Sequence, residues 1–213
     1  VATSLYNFFS CLLRALGNST VPLVFLAVSA VLNIGLDDES GGYLMTKYLL
    51  ECGYEHIQVC AGRDNGVDHF RYMGAQRAAK EFAGKKQKVQ FTALGMNYAK
   101  RKESYAWLIQ RKKPKTALFF LSDLYALEAI SFFSSRGVKI PEEIGIAGYD
   151  NISYAEFSVP RLTTISQNVE QKASLAVEIL MERINGVEKE RENEIELPVT
   201  LIQRKSLQPQ DEN

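Results

Sequence analysis

Two pairs of oxygen-bearing side chains hold positions from which they could capture a ligand. Ser122-Asp123 follows the apolar run Thr116 to Leu121, and Asp150-Asn151 follows the apolar run Ile144 to Tyr149. An ionised carboxylate only accepts hydrogen bonds, whereas a hydroxyl or an amide both donates and accepts, so such a set suits a hydroxylated ligand. Each pair also has a plain structural reading. Ser122 or Asp123 can cap a helix by accepting from its first free N–H groups, and for Ser122 the cap is the favoured role. Asp150 ends a strand with no obvious helix behind it, which favours a site role. A third candidate is Arg71, which opens R-Y-M-G-A-Q-R-A. Its planar guanidinium can hold vicinal hydroxyls or a carboxylate through paired parallel bonds. From local context alone, Arg71 reads as an exposed, salt-bridging residue.

These residues are positioned by a β-α-β unit. Thr116 to Leu121 is almost wholly apolar, as expected of a strand buried on both faces. Leu124, Leu127, Ile130 and Phe133 then recur at helical spacing, and Gly137 supplies the stop. Ile144 to Tyr149 is a second buried strand. Two such runs joined by a helix imply parallel strands with a right-handed crossover. Both polar pairs therefore gather at the carboxyl edge of one sheet, where open α/β sheets bind ligands.

The rest of the chain keeps the same alternation. Val1 to Leu16 reads as a helix, Pro22 to Val28 as a buried strand and Ile34 to Leu36 as a short extended segment. A helix runs from Gly41-Gly42 to about Cys52, with Leu44, Tyr48 and Leu49 on its buried face. Strands are expected at His56 to Ala61 and Val89 to Leu94. Between them lies a helix with Phe70, Met73, Ala75, Ala78 and Ala79 inward. A charged helix from Tyr98 to Lys112 turns Tyr105, Leu108 and Ile109 inward. Leu162 to Ile165 is extended and Asn168 to Ile184 amphipathic. Ile195 to Arg204 forms a final strand, and Leu207 to Asn213 is a tail. The fold class is α/β, with parallel sheet flanked by helices.

Composition narrows the function. With 25 basic and 25 acidic residues among 213, the formal charge is zero, which argues against a principal nucleic-acid surface. No apolar run reaches transmembrane length. The cysteines Cys11, Cys52 and Cys60 match no zinc spacing, and two histidines are too few for most metal sites. They read as buried free thiols suited to a reducing cytoplasm. The glycines make no dinucleotide fingerprint, and neither a Walker sequence nor a nucleophile elbow is present. Asp37-Asp38-Glu39 reads as a capping and dipole cluster. Arg111 to Lys115 reads as a solvated helix end.

The run G-V-K-I-P-E-E-I-G-I-A-G-Y-D-N, followed by P-R-L-T-T-I-S-Q, resembles the effector-binding domain of the lac/gal repressor family, from about Pro22 to Ser206. The resemblance implies two Rossmann-like lobes joined by three crossovers, with a cleft between them. Mapped onto this sequence, residues 1–54 and 167–195 form the first lobe, which lacks the family's opening strands. Residues 55–166 and 196–206 form the second. It also implies a regulator rather than an enzyme, with no cofactor. The partners implied are a sugar-like effector, a second copy of the chain, and DNA only through a head outside this sequence. Arg71, Asp150, Asp123, Ser122, Phe119 and Gln167 are implied around the effector, and Leu127 and Phe157 at a two-fold dimer interface. D-D-E-S-G-G-Y-L-M-T-K-Y-L is similar to arabinose-responsive members, which points to a pentose. A periplasmic sugar-binding protein of a transport system shares the fold and is the alternative. An α/β enzyme is a weaker rival.

Overall fold

A computed structural model of the chain describes residues 34–84, 86–167, 169–184 and 195–208. The chain divides into two units, one holding Val1–Asp37 and Gln167–Pro198, the other Asp38–Ser166 and Val199–Asn213. The helix and strand expected within the first 33 residues, Cys11, and residues 209–213 of the expected tail lie outside the described residues. Leu207, which the sequence places in that tail, is instead buried in the core.

The second unit carries the candidate residues. Its strands are β2 (His56–Ala61), β3 (Lys88–Ala93), β4 (Thr116–Phe120), β5 (Gly145–Asp150), β6 (Thr163–Ser166) and β8 (Thr200–Ile202). They form one six-stranded sheet in the order β3-β2-β4-β5-β6-β8, parallel except for the β6–β8 pair. Among the described residues five helices belong to it: α1 (Asp38–Glu51), α2 (Gly66–Phe82), α3 (Tyr98–Gln110), α4 (Asp123–Ser134) and α5 (Ser153–Phe157). Alternate strand residues feed two cores, because successive side chains leave opposite faces of a strand. Ile57, Val59, Ala117, Phe119 and Ala147 pack with Met45 and Leu49 of α1. Cys60, Leu118, Phe120 and Ile146 pack with Tyr105, Phe132 and Phe133 of α3 and α4.

The strand order fixes where a ligand can sit. The chain passes from β2 outward to β3, then returns across β2 to β4. The reversal leaves a crevice beyond the carboxyl ends of β2 and β4, the usual binding position in such sheets. The first unit's described parts are β1 (Ile34–Leu36), β7 (Ile195–Leu197) and α6 (Val169–Ile184), with β1 parallel to β7. The Asp37 backbone N–H continues that ladder by donating to the Leu197 carbonyl at 3.2 Å.

Several expectations need correction. The first crossover falls at Asp37–Asp38, not after Tyr54. The reason is the intimate packing of α1 on α2. A Cβ added at Gly42 would lie 1.8 Å from the Arg71 carbonyl oxygen, and one at Gly74 equally close to that of Glu39. Only glycine permits that approach, so α1 is bound into the second unit. The same packing shifts the inward face of α2. Ala75 and Ala78 are buried as expected, joined by Arg71 and Gly74, whereas Phe70 and Met73 are exposed. The single final strand is two, β7 and β8, split at Pro198, which has no N–H to carry a ladder onward. Leu124 of α4 is exposed rather than inward.

Candidate functional site

Arg71 is the centre of the polar cluster, and it is buried, with 6% of its surface exposed. Its Nε donates to Asp38 Oδ1 at 2.8 Å, and Nη1 donates to the Leu121 carbonyl at 2.6 Å, at the end of β4. The guanidinium lies 3.8 Å from the centre of the Tyr149 ring, a stacking geometry open to arginine but not to lysine. Nη2 faces Asp150 Oδ1 at 3.5 Å, and Nη1 lies 4.0 Å from Asp68. One cation thus sits among three carboxylates contributed by α1, α2 and the end of β5. Burial acts to lower the Arg71 pKa, but Asp150 and Asp38 outweigh it, and the net shift is upward.

Asp150 presents the accessible part of the cluster, with 32% of its side chain exposed. The Arg71–Asp150 separation exceeds the usual charged hydrogen bond, so both retain capacity for a further partner. Ser122 occupies the position before α4, yet its hydroxyl makes no capping bond. It donates instead to Asp150 Oδ2 at 3.3 Å. Ser122 therefore does not play the capping role its sequence favoured, and is tied to Asp150 instead. Burial pushes the Asp150 carboxyl up to about 6, against the pull of Arg71 and the Ser122 bond. Asp68 is likewise raised, chiefly by burial.

The turn after β5 is held in a left-handed conformation, with φ of 110° at Asp150 and 51° at Asn151. Such backbone is costly for non-glycine residues and persists only where its surroundings enforce it. Here they do. The Asn151 side-chain oxygen accepts from Arg204 at 2.8 Å, and the Ile152 N–H donates to Asp123 Oδ2 at 3.0 Å. Asp123 Oδ1 accepts from the Thr164 hydroxyl at 2.6 Å. Asp123 is wholly buried, and burial raises its carboxyl to about 7. It fixes the Asp150 turn from beneath and has no open face toward a ligand, a correction to its expected place.

Phe119, Leu127 and Phe157 lie apart from this cluster. Phe119 is fully buried in the core between β4 and α1, so it offers no exposed apolar face. Its odd position in β4 turns it the same way as Ala117 and Leu121, into the packing of the sheet. Gln167 is the first residue beyond the second unit. Leu127 is half-buried against the α3–α4 core, while Phe157 is 76% exposed. Asp38 and Arg204 escaped the sequence reading. Asp38 stood in an acidic run that resembles any helix start, and its partner is 33 residues away. Arg204 lay inside an expected strand. The basic signal at Arg71 was visible, but its burial was not.

The whole arrangement is suited to binding. Carboxylates, a partly used guanidinium and a hydroxyl share one sheet edge. Among the described residues no group of histidine, cysteine and carboxylate side chains could hold a metal ion. None of their helices is long and apolar enough to cross a membrane.

Comparison with known proteins agrees with this fold. Residues 46–207 match the periplasmic binding protein-like domain family. A transcriptional repressor PurR of Haemophilus influenzae is 34% identical over 198 residues, covering 89% of this chain and 58% of the relative. The PurR repressor of Pasteurella multocida is 37% identical over 171 residues, covering 78% of this chain and 50% of its own. This chain thus spans little more than half the length of these relatives. A LacI family transcriptional regulator from Enterococcus faecium, solved with bound ribose, superposes with a TM-score of 0.71 at 29% identity, covering 83% of this chain and 65% of that one. A periplasmic binding protein/LacI transcriptional regulator from Alkaliphilus metalliredigens, complexed with D-xylulofuranose, gives 0.68 at 28% identity, with coverages of 82% and 65%. The chain belongs to the periplasmic binding protein-like domain family, in the form of the LacI/GalR effector-binding domain.

Proposed function

We propose that this chain is the sensory part of a cytoplasmic transcriptional regulator, and that it binds an uncharged, hydroxyl-rich effector at the Arg71–Asp150 edge. The observation that carries the reading is the Arg71–Asp150 pair at the carboxyl edge of the sheet, close enough to pre-orient each other yet 3.5 Å apart. Asp150 accepts from ligand hydroxyls while Arg71 donates to them. Because Asp38, Asp68 and Asp150 outnumber Arg71, an anionic effector meets net repulsion here. A pentose is the preferred effector, supported by the bound sugars of the two solved relatives. A regulator is favoured over a transport protein because relatives of 34% and 37% identity are repressors. In the whole regulator, effector and operator would be linked by a coupling free energy of ~1–3 kcal/mol.

Isothermal titration with pentoses, hexoses and nucleosides tests this. The reading requires that an effector found in the panel lose affinity by about 1.5–3 kcal/mol in Asp150→Ala, the value of a charged hydrogen bond. An effector whose affinity ignores this change would place its site elsewhere.

A further inference from the structure

A second polar concavity lies at the opposite, amino edge of the same sheet. Its origin is an irregularity in the sheet face that should be apolar. Strands covered by helices on both faces normally read as continuous apolar runs. On the face toward α3, however, the first row of cross-strand neighbours is Lys88, His56 and Thr116, and the second is Gln90, Gln58 and Leu118. β3 is the sheet's edge, which explains Lys88 and Gln90. β2 is interior, so edge position does not explain His56 and Gln58. The polar rows floor a cavity of about 300 Å³ beneath the last turn of α3.

The wall of this cavity is strongly basic. Lys88 and His56 come from strand starts, and Arg111, Lys112 and Lys113 from the end of α3 and the turn after it. No carboxylate lines it. Lys112 is paired with Glu143, but among the described residues His56, Lys88, Arg111 and Lys113 take part in no ion pair. A helix C-terminus explains basic residues on α3 itself. It does not explain a lysine and a histidine converging on them from two strands, in a chain whose formal charge is zero. Trp107 forms the lip, 45% exposed, with the Arg111 guanidinium 4.6 Å from its ring centre. Gln58 is oriented by accepting from the Thr92 hydroxyl at 2.8 Å, and its amide meets that of Gln90 at 3.4 Å.

We propose that this amino-edge cavity binds a small phosphomonoester. The phosphate would be held by Lys88, Arg111 and Lys113, and the organic body by Trp107 and the Gln90 amide. Arginine and lysine supply the charge-assisted donors that a phosphate dianion needs. The volume suits a small molecule. A chain of zero formal charge lacks the basic excess of a surface that follows a nucleic-acid backbone. This inference is independent of the Arg71–Asp150 site, which lies at the other end of the strands.

Trp107 is the chain's single tryptophan, so its fluorescence reports on the cavity directly. The chain would be titrated with D-ribose 5-phosphate, inorganic phosphate and D-ribose, each against sodium chloride of equal ionic strength. The expected result is a saturable change with the sugar phosphate, a weaker one with phosphate and none with ribose. Lys88→Ala should weaken the sugar phosphate about fivefold, the worth of one exposed charge contact, and Lys88→Glu should abolish saturation. Lys88 is exposed and touches no core, so both variants keep the fold. A change no larger than that of the salt control, or one indifferent to both variants, would overturn the assignment. Inorganic phosphate binding as tightly as the ester would reduce the site to an ion site. A short DNA duplex that binds more tightly than the ester and displaces it would assign the face to nucleic acid instead.

Discussion

Replacing Arg71 with alanine tests the centre of the cluster, and the structure sets the size of the effect. The substitution removes a 2.8 Å ion pair with Asp38, whose side chain is 7% exposed, and a 2.6 Å bond to the Leu121 carbonyl. It also removes the guanidinium from the Tyr149 ring. Breaking a buried pair from one side costs about 3–5 kcal/mol, because the surviving charge keeps its desolvation and loses its countercharge. Loss of the stacked cation adds about 0.5–2 kcal/mol. Against a total stability of roughly 5–15 kcal/mol for a domain, this is a large fraction. Urea unfolding followed by Trp107 fluorescence should show the midpoint falling steeply. Arg71→Lys should recover only part, since an ammonium cannot reach Asp38 and the Leu121 carbonyl in the plane that stacks on Tyr149. Asp38→Ala alone should cost less, because Arg71 keeps Asp150 and Asp68. The Arg71→Ala/Asp38→Ala cycle should then give a coupling energy of about 2 kcal/mol, within the range found for contacting charged pairs. A loss below about 1 kcal/mol in Arg71→Ala, or strict additivity in the cycle, would show that Arg71 does not anchor α1.

Asp150 should give effector binding a pH dependence. Burial pushes its carboxyl up to about 6, and protonation turns an acceptor oxygen into a donor, so affinity measured by calorimetry should fall between pH 7.5 and 5; a flat profile would remove Asp150 from the contact. Asp123, raised by burial to about 7, acts on stability in the opposite direction to an ordinary carboxylate. Its contribution is present below its usual range near pH 4 and is lost as pH rises through about 7, by roughly 2–4 kcal/mol; Asp123→Asn should flatten that slope in urea melts, and an unchanged slope would refute the assignment. Dimerisation should depend on exposed apolar residues near the α5 turn. Phe157→Glu should yield monomers in sedimentation with an unaltered circular dichroism spectrum, because Phe157 is 76% exposed, whereas Leu127→Glu should also lower stability, because Leu127 leans on the core. Dimers that survive Phe157→Glu would exclude this surface.

The β-α-β unit from Thr116 to Asp150 was legible because both its strands are buried on both faces and its helix is amphipathic. Such local patterns depend on no distant residue. The carboxyl edge was legible for the same reason, since two parallel strands must end at the same side. What periodicity could not convey was which side of α2 faces inward. Phe70 and Met73 carry the apolar signal, yet they are exposed. The packing is decided instead by Gly42 and Gly74, which let two helix backbones meet where larger residues would collide. Glycine has no side chain to register in an apolar pattern, so a reading by apolar spacing finds Ala75 and Ala78 but adds Phe70 and Met73 and passes over Gly74.

The same helix contact explains why the site was only half visible. Once α1 and α2 approach through their glycines, Asp38 at the start of α1 is brought to the buried Nε of Arg71. Nothing in the acidic run around Asp38 distinguishes it from Asp37 or Glu39. Asp37 is tied through its backbone to the Leu197 carbonyl, and Glu39 pairs with Arg77 at 2.7 Å. Three adjacent acids therefore do three different things. Only the tertiary contact assigns them, because a carboxylate's role follows from which cation or N–H it meets and how much water it loses on the way. The Asp37–Asp38 step is also where the chain passes from one unit to the other. Its second residue is held by the arginine that faces Asp150, so an Arg71 substitution that impairs ligand affinity should also loosen the start of α1. Hydrogen exchange at residues 38–42 would rise in Arg71→Ala and stay at the wild-type rate in Asp150→Ala, separating the arginine's structural role from its share in binding.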